Sequence, residues 1–337
     1  MKRRALRLPG GRKIGIFRYD FFQEIVPVLW FALVAVFLAA PALAFPVERC
    51  VNLGNALDSP EREGEWGYTI GFADIDAVAE AGFDTIRLPV RFSSRWDGER
   101  VDEAFQARVD EVARYALDRG LTVLLDLHHF DELTADPAGQ ADSFVALWGY
   151  LSDHYAGWPD GLVFELLNEP HGDLTTDLAN DLYTRVLPGI RETHPERWVV
   201  VSGSNWGSIK DMHALDAFDA RTVPTFHYYA PWPFTHQQAA WLPNPPPAAE
   251  WGSDEERRKV REDMARAANR GGPVFLGEFG VNTRVPAEAR WDWTRAVREA
   301  AEAEGIGWCV WNLTSTFRIY DENQGTWEDG ALGALFD

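Results

Sequence analysis

Apolar residues along positions 45–337 follow two alternating patterns, which predict a regular series of strands and helices. Short apolar runs rich in β-branched residues, such as 121–127, are typical of buried parallel strands. Between such runs, apolar residues recur every three or four positions, as at Ile75, Val78 and Ala79, which is the spacing of one helical face. Eight predicted strands interleaved with helices indicate an α/β fold, a (β/α)8 TIM barrel that forms a single domain over residues 45–337.

The predicted elements alternate through this domain without a break in composition, and we find no internal repeat. The predicted strands are 49–53, 85–88, 121–127, 162–167, 198–202, 222–226, 273–276 and 306–311. The predicted helices are 70–81, 102–119, 141–155, 177–192, 254–268 and 287–303. The proline-rich run 243–249 is interpreted as a stiff loop, because barrel elements continue after it.

The composition narrows the classes of partner. The chain of 337 residues has 46% hydrophobic and 25% charged residues, so it can bury a large core. Its formal net charge of −20 repels nucleic acid and anionic lipid, which argues against a polyanionic partner. A neutral substrate stays open, and 15 Trp and 9 Tyr residues favour a sugar, because aromatic rings match its flat C–H face. Most of these rings are still expected to fill the core.

Residues 1–44 have the pattern of an export signal. Basic residues are concentrated in positions 1–18, and residues 26–44 are uncharged and largely apolar. The run ends in Ala42-Leu43-Ala44, with small residues where a signal peptidase reads them, so we interpret it as a cleaved signal peptide. An uncleaved membrane anchor is the alternative, because the run is nearly long enough to span a bilayer. Either interpretation predicts that the remaining chain is secreted, periplasmic or otherwise extracellular, with membrane contact only if residues 26–44 are retained.

The chain has two cysteines, Cys50 and Cys309. They lie on the first and eighth predicted strands, which are neighbours in a closed barrel. A disulfide is open to an exported protein, but two buried, unpaired thiols are the preferred interpretation.

Polar and ionisable side chains collect where the predicted strands end. In parallel barrels the carboxyl ends of the strands meet at one mouth, where substrates bind. Ionisable side chains are rarely buried in a core, so this clustering indicates that they face a cleft. The residues at or just after strand ends are Asn55, Arg87, His128, His129, Asn168, Glu169, His227, Tyr229, Glu278 and Trp311.

Glu169 and Glu278 offer the pair of carboxyl groups that glycoside hydrolysis needs. One carboxylic acid protonates the leaving oxygen, and the other attacks the anomeric carbon or activates a water. Gly277 leaves room for close approach beside Glu278. A lone glutamate at a strand end is as readily a salt-bridged rim residue, so the prediction rests on the pair.

A series of motifs adds a family resemblance. In chain order they are VNLGNAL at 51–57, IRLPV at 86–90, DLHH at 126–129, FELLNEP at 164–170, FHYY at 226–229, PFTHQ at 233–237, GEFG at 277–280 and VWN at 310–312. Together they resemble glycoside hydrolase family 5, the cellulase family of retaining barrel enzymes, over most of residues 48–328. The stretch 226–241 is most similar to the endoglucanase branch of that family.

The resemblance implies catalytic roles residue by residue. Glu169 matches the acid/base and Glu278 matches the nucleophile. Asn168 matches the residue that holds the sugar 2-hydroxyl, and Arg87 matches the cation that keeps Glu278 ionised by lowering its pKa. Further implied support comes from the third-strand His128, from His227 beside the acid/base and from Tyr229, which hydrogen-bonds the nucleophile. The implied substrate contacts are Trp311, His129, Asn55, His236 and Trp241.

Two positions depart from the family pattern. Asp58 stands where the endoglucanase branch often has glutamate, and Asn312 stands where an acidic residue is common. Neither departure touches the two predicted catalytic carboxyl groups, so we expect them to affect substrate preference more than activity. The direction of Trp308, three residues before Trp311, is left open.

Other aromatic and histidine residues are assigned by position. We expect His128 and His129, as adjacent strand residues, to point to opposite faces, so shared metal ligation is not favoured. The sequence predicts no metal and no cofactor. Tryptophans in predicted loops, where a sugar platform is plausible, are Trp66, Trp232 and Trp241. Those expected to pack against helices or in the core are Trp148, Trp198, Trp291 and Trp293.

The function predicted from the residues and the resemblance together is a retaining, endo-acting β-1,4-glucanase that works as a monomer on a β-linked polysaccharide or oligosaccharide. A β-mannanase or glucomannan-active enzyme is the close alternative. A noncatalytic glycan-binding barrel is a second alternative, although both glutamates are present. A metal-dependent barrel hydrolase is disfavoured, because residues 49–52 lack the His-x-His pair that it needs on the first strand.

Overall fold

The computed structural model describes residues 44–337, whose main strands close into a barrel. Its eight strands are parallel and pair in chain order, and β8 returns to pair with β1. The predicted (β/α)8 barrel is therefore confirmed. Strands β1 to β8 are Arg49–Asn52, Thr85–Val90, Thr122–Leu127, Leu162–Glu165, Val199–Ser202, Thr222–Tyr228, Phe275–Phe279 and Gly307–Val310.

Helices connect the strands and pack their apolar faces on the outside of the barrel. Several begin at side-chain caps, as where Asp102 accepts the backbone N–H of Phe105. The helices of five or more residues are Phe72–Ala81, Glu103–Asp118, Asp131–Ala135, Pro137–His154, Thr176–Thr193, Ile209–His213, Asp254–Ala268, Ala287–Ala303 and Ala331–Phe336. Shorter helical turns are Phe92–Arg95, Trp232–Thr235 and Ser315–Phe317, and a two-stranded antiparallel pair, β9 and β10, comprises Tyr320–Asp321 and Thr326–Trp327.

Strands β6 and β7 run further than the apolar pattern predicts. The pattern ends them at 226 and 276, whereas they continue to Tyr228 and Phe279. Main-chain pairing with the neighbouring strand does not depend on side-chain polarity, so a strand can extend beyond its run of apolar residues. His227 and Glu278 therefore lie within strands, directly opposite each other in the β6–β7 register, rather than after them.

The barrel interior is apolar at one level and polar at the next. Leu124 and Val163 belong to a small cluster of buried apolar side chains. Two positions further along the same strands stand Asp126 and Glu165, which are fully buried. Because alternate strand residues share a face, each carboxyl group points the same way as the apolar residue before it. The apolar level therefore forms the floor beneath a buried polar level at the carboxyl ends of the strands.

The cysteine prediction is wrong. Cys50 and Cys309 are register partners in the β1–β8 pair, and their sulfurs form a disulfide. The sequence places them on adjacent strands but does not give the register, which decides whether the two residues face each other. The disulfide links residues separated by 259 positions and joins the first barrel strand to the last.

The tryptophans expected to pack are buried. Trp148 donates its indole N–H to the carbonyl of Leu166, and Trp293 donates to the carbonyl of Ala230. Trp198 and Trp291 are each 8% exposed. Trp308, whose direction was open, is buried and bonds to Glu302 rather than facing the barrel mouth.

The predicted signal peptide or membrane anchor, residues 1–44, lies outside the described residues apart from Ala44. Among residues 44–337, no helix is both long enough and apolar enough to cross a bilayer.

Candidate active site

A cleft of about 1110 Å³ opens at the carboxyl ends of the barrel strands. Every predicted site residue except Arg87 lines it, and Arg87 lies fully buried below it. The predicted residues that line the cleft are Asn55, His128, His129, Asn168, Glu169, His227, Tyr229, His236, Trp241, Glu278 and Trp311. The structure thus brings together residues that are up to 256 positions apart, from Asn55 to Trp311.

Glu169 and Glu278 face each other in this cleft. A carboxyl oxygen of Glu169, a carboxyl oxygen of Glu278 and a ring nitrogen of His227 all lie within 4.8 Å of one another. In retaining glycosidases the two carboxyl groups are about 5–5.5 Å apart, whereas inverting enzymes need about 6.5–9.5 Å to admit a water. A separation of less than 4.8 Å between the nearest oxygens is closer to the retaining arrangement than to the inverting one.

Glu278 is held by two donors. Arg87 Nη1 donates to Glu278 Oε1 at 2.8 Å, and the Tyr229 hydroxyl donates to Oε2 at 2.8 Å. The side chains of His227 and Thr225 pack closely against the backbone of Gly277. A Cβ at this position would lie 2.9 Å from His227 Nε2 and 2.7 Å from Thr225 Oγ1. The glycine beside Glu278 is thus required for close approach, as the sequence predicts.

Arg87 is also the centre of the buried polar level. Its Nε and Nη2 bind both oxygens of Glu165 at 2.7 and 2.9 Å. Nη2 also donates to Asn168 Oδ1 at 2.8 Å and lies 3.0 Å from Asp126 Oδ2. The fork geometry of a guanidinium suits this bidentate role, and a lysine cannot reproduce it. Asp126 and Glu165 were not among the predicted site residues, although each stands two positions after an apolar residue of a buried strand, a pattern that could have indicated them.

Burial raises the pKa of Glu278 to about 7. The charges of His227 and Arg87 and the hydrogen bond from Tyr229 all act in the opposite direction, while the neighbouring Glu169 adds to the rise. The expectation that Arg87 lowers this pKa holds for its own contribution only. The net direction is upward, because the carboxyl group is withdrawn from water and the charge of Arg87 is shared with Glu165 and Asp126.

Burial also raises the pKa of Glu169 to about 7. Its Oε1 lies 2.7 Å from His227 Nδ1, so a hydrogen bond joins these two atoms. His227 is itself buried, and burial lowers its pKa, while the negative charge of Glu278 acts in the opposite direction. Glu278 accepts two hydrogen bonds, from Arg87 and Tyr229, whereas the Glu169 side chain bonds only to His227 among residues 44–337. The first negative charge of the pair therefore belongs on Glu278.

His128 and His129 both face the cleft, which corrects the expectation of opposite faces. They follow Leu127, the last residue of β3, so strand alternation no longer governs them. Their rings lie 4.6 Å apart, and donor atoms of both lie within 4.8 Å of a carboxyl oxygen of Asp58. The prediction that the reaction uses no metal stays a prediction.

His128 has a fixed orientation. Its Nδ1 lies 2.6 Å from Asp126 Oδ2, and its ring stacks on Trp311 at 5.5 Å between centroids. Burial and the positive charge of Arg87 lower its pKa well below the usual value, so the ring is neutral and Nδ1–H donates to Asp126. The other ring nitrogen is left as an acceptor.

Asp58 and Asn312, which depart from the family pattern, both hydrogen-bond to the loop after β1. Asp58 is buried and accepts the backbone N–H of Ala56 at 2.7 Å. Asn312 accepts the N–H of Gly54 at 2.9 Å and donates to Asn55 Oδ1 at 3.2 Å. Asn312 therefore fixes the position of Asn55 in the cleft. Burial of the Asp58 carboxyl group raises its pKa to about 6.

Exposed aromatic rings surround the glutamates. Trp66, Trp232 and Trp241 line the cleft and are each more than 40% exposed, as expected for loop platforms. His236 stacks against Trp232 at 5.3 Å. Trp206, which the sequence analysis missed, also lines the cleft and is 57% exposed. It lies in a short turn outside the strand-end motifs, so the pattern of strand ends gave no signal for it.

Comparisons with known proteins agree with this geometry. Residues 54–316 match Cellulase (glycosyl hydrolase family 5). Endoglucanase H of Acetivibrio thermocellus is 30% identical over 304 residues, which cover 85% of this chain but only 32% of that protein. The chain thus spans about a third of that relative.

Two solved structures are similar over most of both chains. Thermotoga maritima Cel5A in complex with cellobiose has a TM-score of 0.83 and 34% identity, covering 86% of this chain and 98% of that one. The cellulose synthase subunit Z of Clostridioides difficile has a TM-score of 0.84 and 35% identity, covering 86% and 100%. With a family match over most of the described residues, the chain belongs to glycosyl hydrolase family 5, the cellulase family.

Proposed function

We propose that this protein is an endo-β-1,4-glucanase that cleaves with retention, using Glu169 as acid/base and Glu278 as nucleophile. The observation that carries the proposal is the short separation of these two carboxyl groups at the centre of an open cleft. The relatives named endoglucanase support the substrate class.

In the first step, Glu278 attacks the anomeric carbon while Glu169 gives its proton to the leaving glycosidic oxygen. The bond from the anomeric carbon to that oxygen breaks as the bond to Glu278 forms, which gives a covalent glycosyl-enzyme. Arg87 and Tyr229 favour the anionic Glu278 that this attack requires. The raised pKa of Glu169 keeps a proton available near neutral pH.

In the second step, Glu169 acts as a base. It removes a proton from a water that attacks the anomeric carbon, and the bond to Glu278 breaks. Glu278 leaves as a carboxylate beside Arg87, and Glu169 regains its proton. Two displacements at the same carbon restore the original configuration.

Two further groups are oriented for sugar hydroxyls. Arg87 binds Asn168 Oδ1, so the Asn168 side-chain N–H group is left to donate into the cleft. Asp126 binds Nδ1 of His128, so the other His128 nitrogen accepts. One donor and one acceptor in the same cleft as Glu278 suit the hydroxyls of the sugar under attack.

The exposed rings support binding within a long chain. A β-linked glucan presents alternating flat C–H faces, and the four rings of Trp66, Trp206, Trp232 and Trp241 offer platforms of that kind. A cleft volume of about 1110 Å³ is larger than one or two sugar units occupy, which favours cleavage within a longer chain.

The test is reducing-sugar release by residues 45–337 on carboxymethyl cellulose, barley β-glucan and glucomannan. Glu169→Ala and Glu278→Ala are each expected to lose activity by several orders of magnitude. A fast fall in viscosity relative to reducing-end release would mark endo action. Activity that survives in either variant contradicts the two-carboxyl mechanism, and a wild type inactive on all three substrates contradicts the substrate class.

A second candidate substrate is a β-mannan. Thermotoga maritima Cel5A has also been solved with mannotriose, at 33% identity to this chain. Glucose and mannose differ at the 2-hydroxyl, the group that we assign to Asn168. The ratio of kcat/KM values on glucomannan and barley β-glucan decides between them.

We further propose that the enzyme acts as a monomer outside the cytoplasm. The basic and then apolar pattern of residues 1–44 supports export. The disulfide between Cys50 and Cys309 is consistent with an oxidising compartment. Cell fractionation, N-terminal sequencing of the mature protein and light scattering test these points.

A further inference from the structure

The backbone at Glu169 has an unusual conformation. Its φ is +43°, in the left-handed region that residues with a side chain rarely adopt. Among the described residues, the Glu169 side chain hydrogen-bonds only to His227. The direction of its carboxyl group therefore depends on His227 and on the contacts that hold the backbone of residues 169–171.

His171 holds this backbone from the C-terminal side. Its Nδ1 lies 2.8 Å from the carbonyl oxygen of Glu169, so the ring donates its Nδ1–H to that oxygen. The contact closes a small loop over Pro170 and fixes the peptide that follows Glu169. The proposed reaction steps make no use of His171.

Trp206 holds His171 in turn. The two rings stack at 5.0 Å between centroids with 14° between their planes. The backbone N–H of Trp206 also donates to the carbonyl of Pro170 at 3.2 Å. One face of the indole is thus covered by His171, although Trp206 as a whole is 57% exposed.

Trp206 is presented by a turn that is itself in the left-handed region. Asn205, Trp206 and Gly207 have φ values of +53°, +54° and +67°. Asp211 stabilises this turn by accepting from Asn205 Nδ2 at 2.9 Å and from the Ser208 hydroxyl at 2.6 Å. Such a conformation persists only where surrounding contacts over-determine it, and here it places the indole against His171.

We propose that His171 is a positioning residue for the acid/base Glu169 and that Trp206 keeps His171 in place. The proposal rests on the proposed function of Glu169. The hydrogen bond to the Glu169 carbonyl and the ring stack together hold the left-handed backbone from which the carboxyl group reaches the leaving oxygen. Small displacements of a proton donor cost large factors in rate, so this support acts on protonation of the leaving group.

The experiment compares substrates that differ in their need for acid. An aryl cellobioside with a phenol leaving group needs its oxygen protonated, whereas one with 2,4-dinitrophenol does not. The constant kcat/KM reports the first displacement in both cases. A defect in Glu169 positioning therefore lowers kcat/KM for phenyl cellobioside much more than for 2,4-dinitrophenyl cellobioside.

Three variants of His171 separate its two contacts. His171→Asn keeps an N–H near the position of Nδ1 but loses the ring stack, His171→Phe keeps the stack but loses the donor, and His171→Ala loses both. We expect His171→Ala to lower kcat/KM on phenyl cellobioside by about tenfold to a hundredfold and on the dinitrophenyl substrate by less than about threefold. His171→Phe should resemble His171→Ala, and His171→Asn should fall between them and the wild type.

Trp206 gives a matched pair and Trp66 a control. Trp206→Ala should show the same dependence on the leaving group as His171→Ala, whereas Trp206→Phe, which retains a ring over His171, should show much less. Trp66 is exposed in the same cleft but lies against His129, so Trp66→Ala should change both substrates by the same factor.

Equal losses on the two aryl substrates in His171→Ala, with unchanged thermal midpoints, would overturn the positioning role. So would full activity of that variant on phenyl cellobioside. A wild type that hydrolyses neither substrate would instead refute the proposed function, so the two failures are distinguishable. Circular dichroism and thermal unfolding of each variant identify any that fail to fold.

Discussion

Arg87 Nη1 and Glu278 Oε1 lie 2.8 Å apart, and the arginine side chain is fully buried. The same guanidinium forms ion pairs with Glu165 and Asp126, so three carboxyl groups share one cation. The ion pair therefore ties the proposed nucleophile to the buried polar level of the barrel. Removing or reshaping this cation affects both stability and catalysis.

Arg87→Lys is expected to lower both properties. A lysine has three donors at one point, so it cannot satisfy Glu165 bidentately while reaching Glu278. Breaking a buried ion-pair network of this kind costs about 3–5 kcal/mol in the free energy of unfolding. We expect a fall in kcat/KM of about a hundredfold or more, because Glu278 loses its alignment. Urea unfolding and kinetics on barley β-glucan measure the two effects.

Arg185→Lys is the matched control, since Arg185 pairs with the exposed Asp142 on the surface. Its urea midpoint and its kinetics should equal those of the wild type. If Arg87→Lys behaved like this control, the central role of Arg87 would be wrong.

The pH dependence of kcat/KM should be bell-shaped and centred near neutral pH. The active form has Glu278 ionised and Glu169 protonated, and burial raises both pKa values to about 7. Below the lower apparent pKa of the pair the nucleophile is protonated, and above the higher one the acid has lost its proton. A profile from pH 4 to 9 on an uncharged β-glucan checks this, and an optimum near pH 4 would contradict it.

Tyr229→Phe should move the acid limb of that profile to higher pH. The Tyr229 hydroxyl donates to Glu278 and lowers its pKa, so its removal makes the nucleophile protonate at a higher pH. Tyr228→Phe, next in sequence, is the control because its hydroxyl bonds to Asp263 instead. A limb that moved to lower pH in Tyr229→Phe, or moved equally in both variants, would count against the assignment.

Gly277→Ala should impair catalysis while leaving the fold intact. The added Cβ would meet His227 Nε2 at 2.9 Å and Thr225 Oγ1 at 2.7 Å, so the His227 ring must shift and its contact with Glu169 is disturbed. We expect kcat/KM to fall by about tenfold to a hundredfold. Gly149→Ala is the control: a Cβ there meets nothing within 4 Å, and in a helix alanine is favoured by about 0.5–1 kcal/mol. Equal kinetics for the two variants would refute the close-approach argument.

The double variant Cys50→Ala/Cys309→Ala should be less stable but active. The disulfide joins residues 259 positions apart, and removing such a link costs about 2–5 kcal/mol through the greater freedom of the unfolded chain. The pair belongs to the apolar floor of the barrel, so kcat/KM at 25 °C should change little. Guanidinium unfolding with and without the link gives the stability difference. An unchanged free energy of unfolding would contradict this effect of the link on the unfolded chain.

The sequence alone determined the features that depend on local pattern. The alternating apolar spacings are enough to predict the barrel, because the apolar pattern of a buried parallel strand differs from that of a helix with one apolar face. The strand-end motifs similarly predicted that Glu169, Glu278 and their neighbours meet in one cleft, since a barrel brings all strand ends to one mouth. In the structure, every predicted site residue except Arg87 lines this cleft.

Tertiary structure alone decided the features that depend on register and on turns. Whether Cys50 faces Cys309, and which carboxyl groups share Arg87, follows from how strands pair across a closed barrel. His128 and His129 face the same cleft because β3 ends before them, and Trp206 reaches His171 only through a left-handed turn. These contacts join residues far apart in the chain or in rare backbone conformations. No local spacing encodes them, because their energy comes from partners that only the folded barrel brings together.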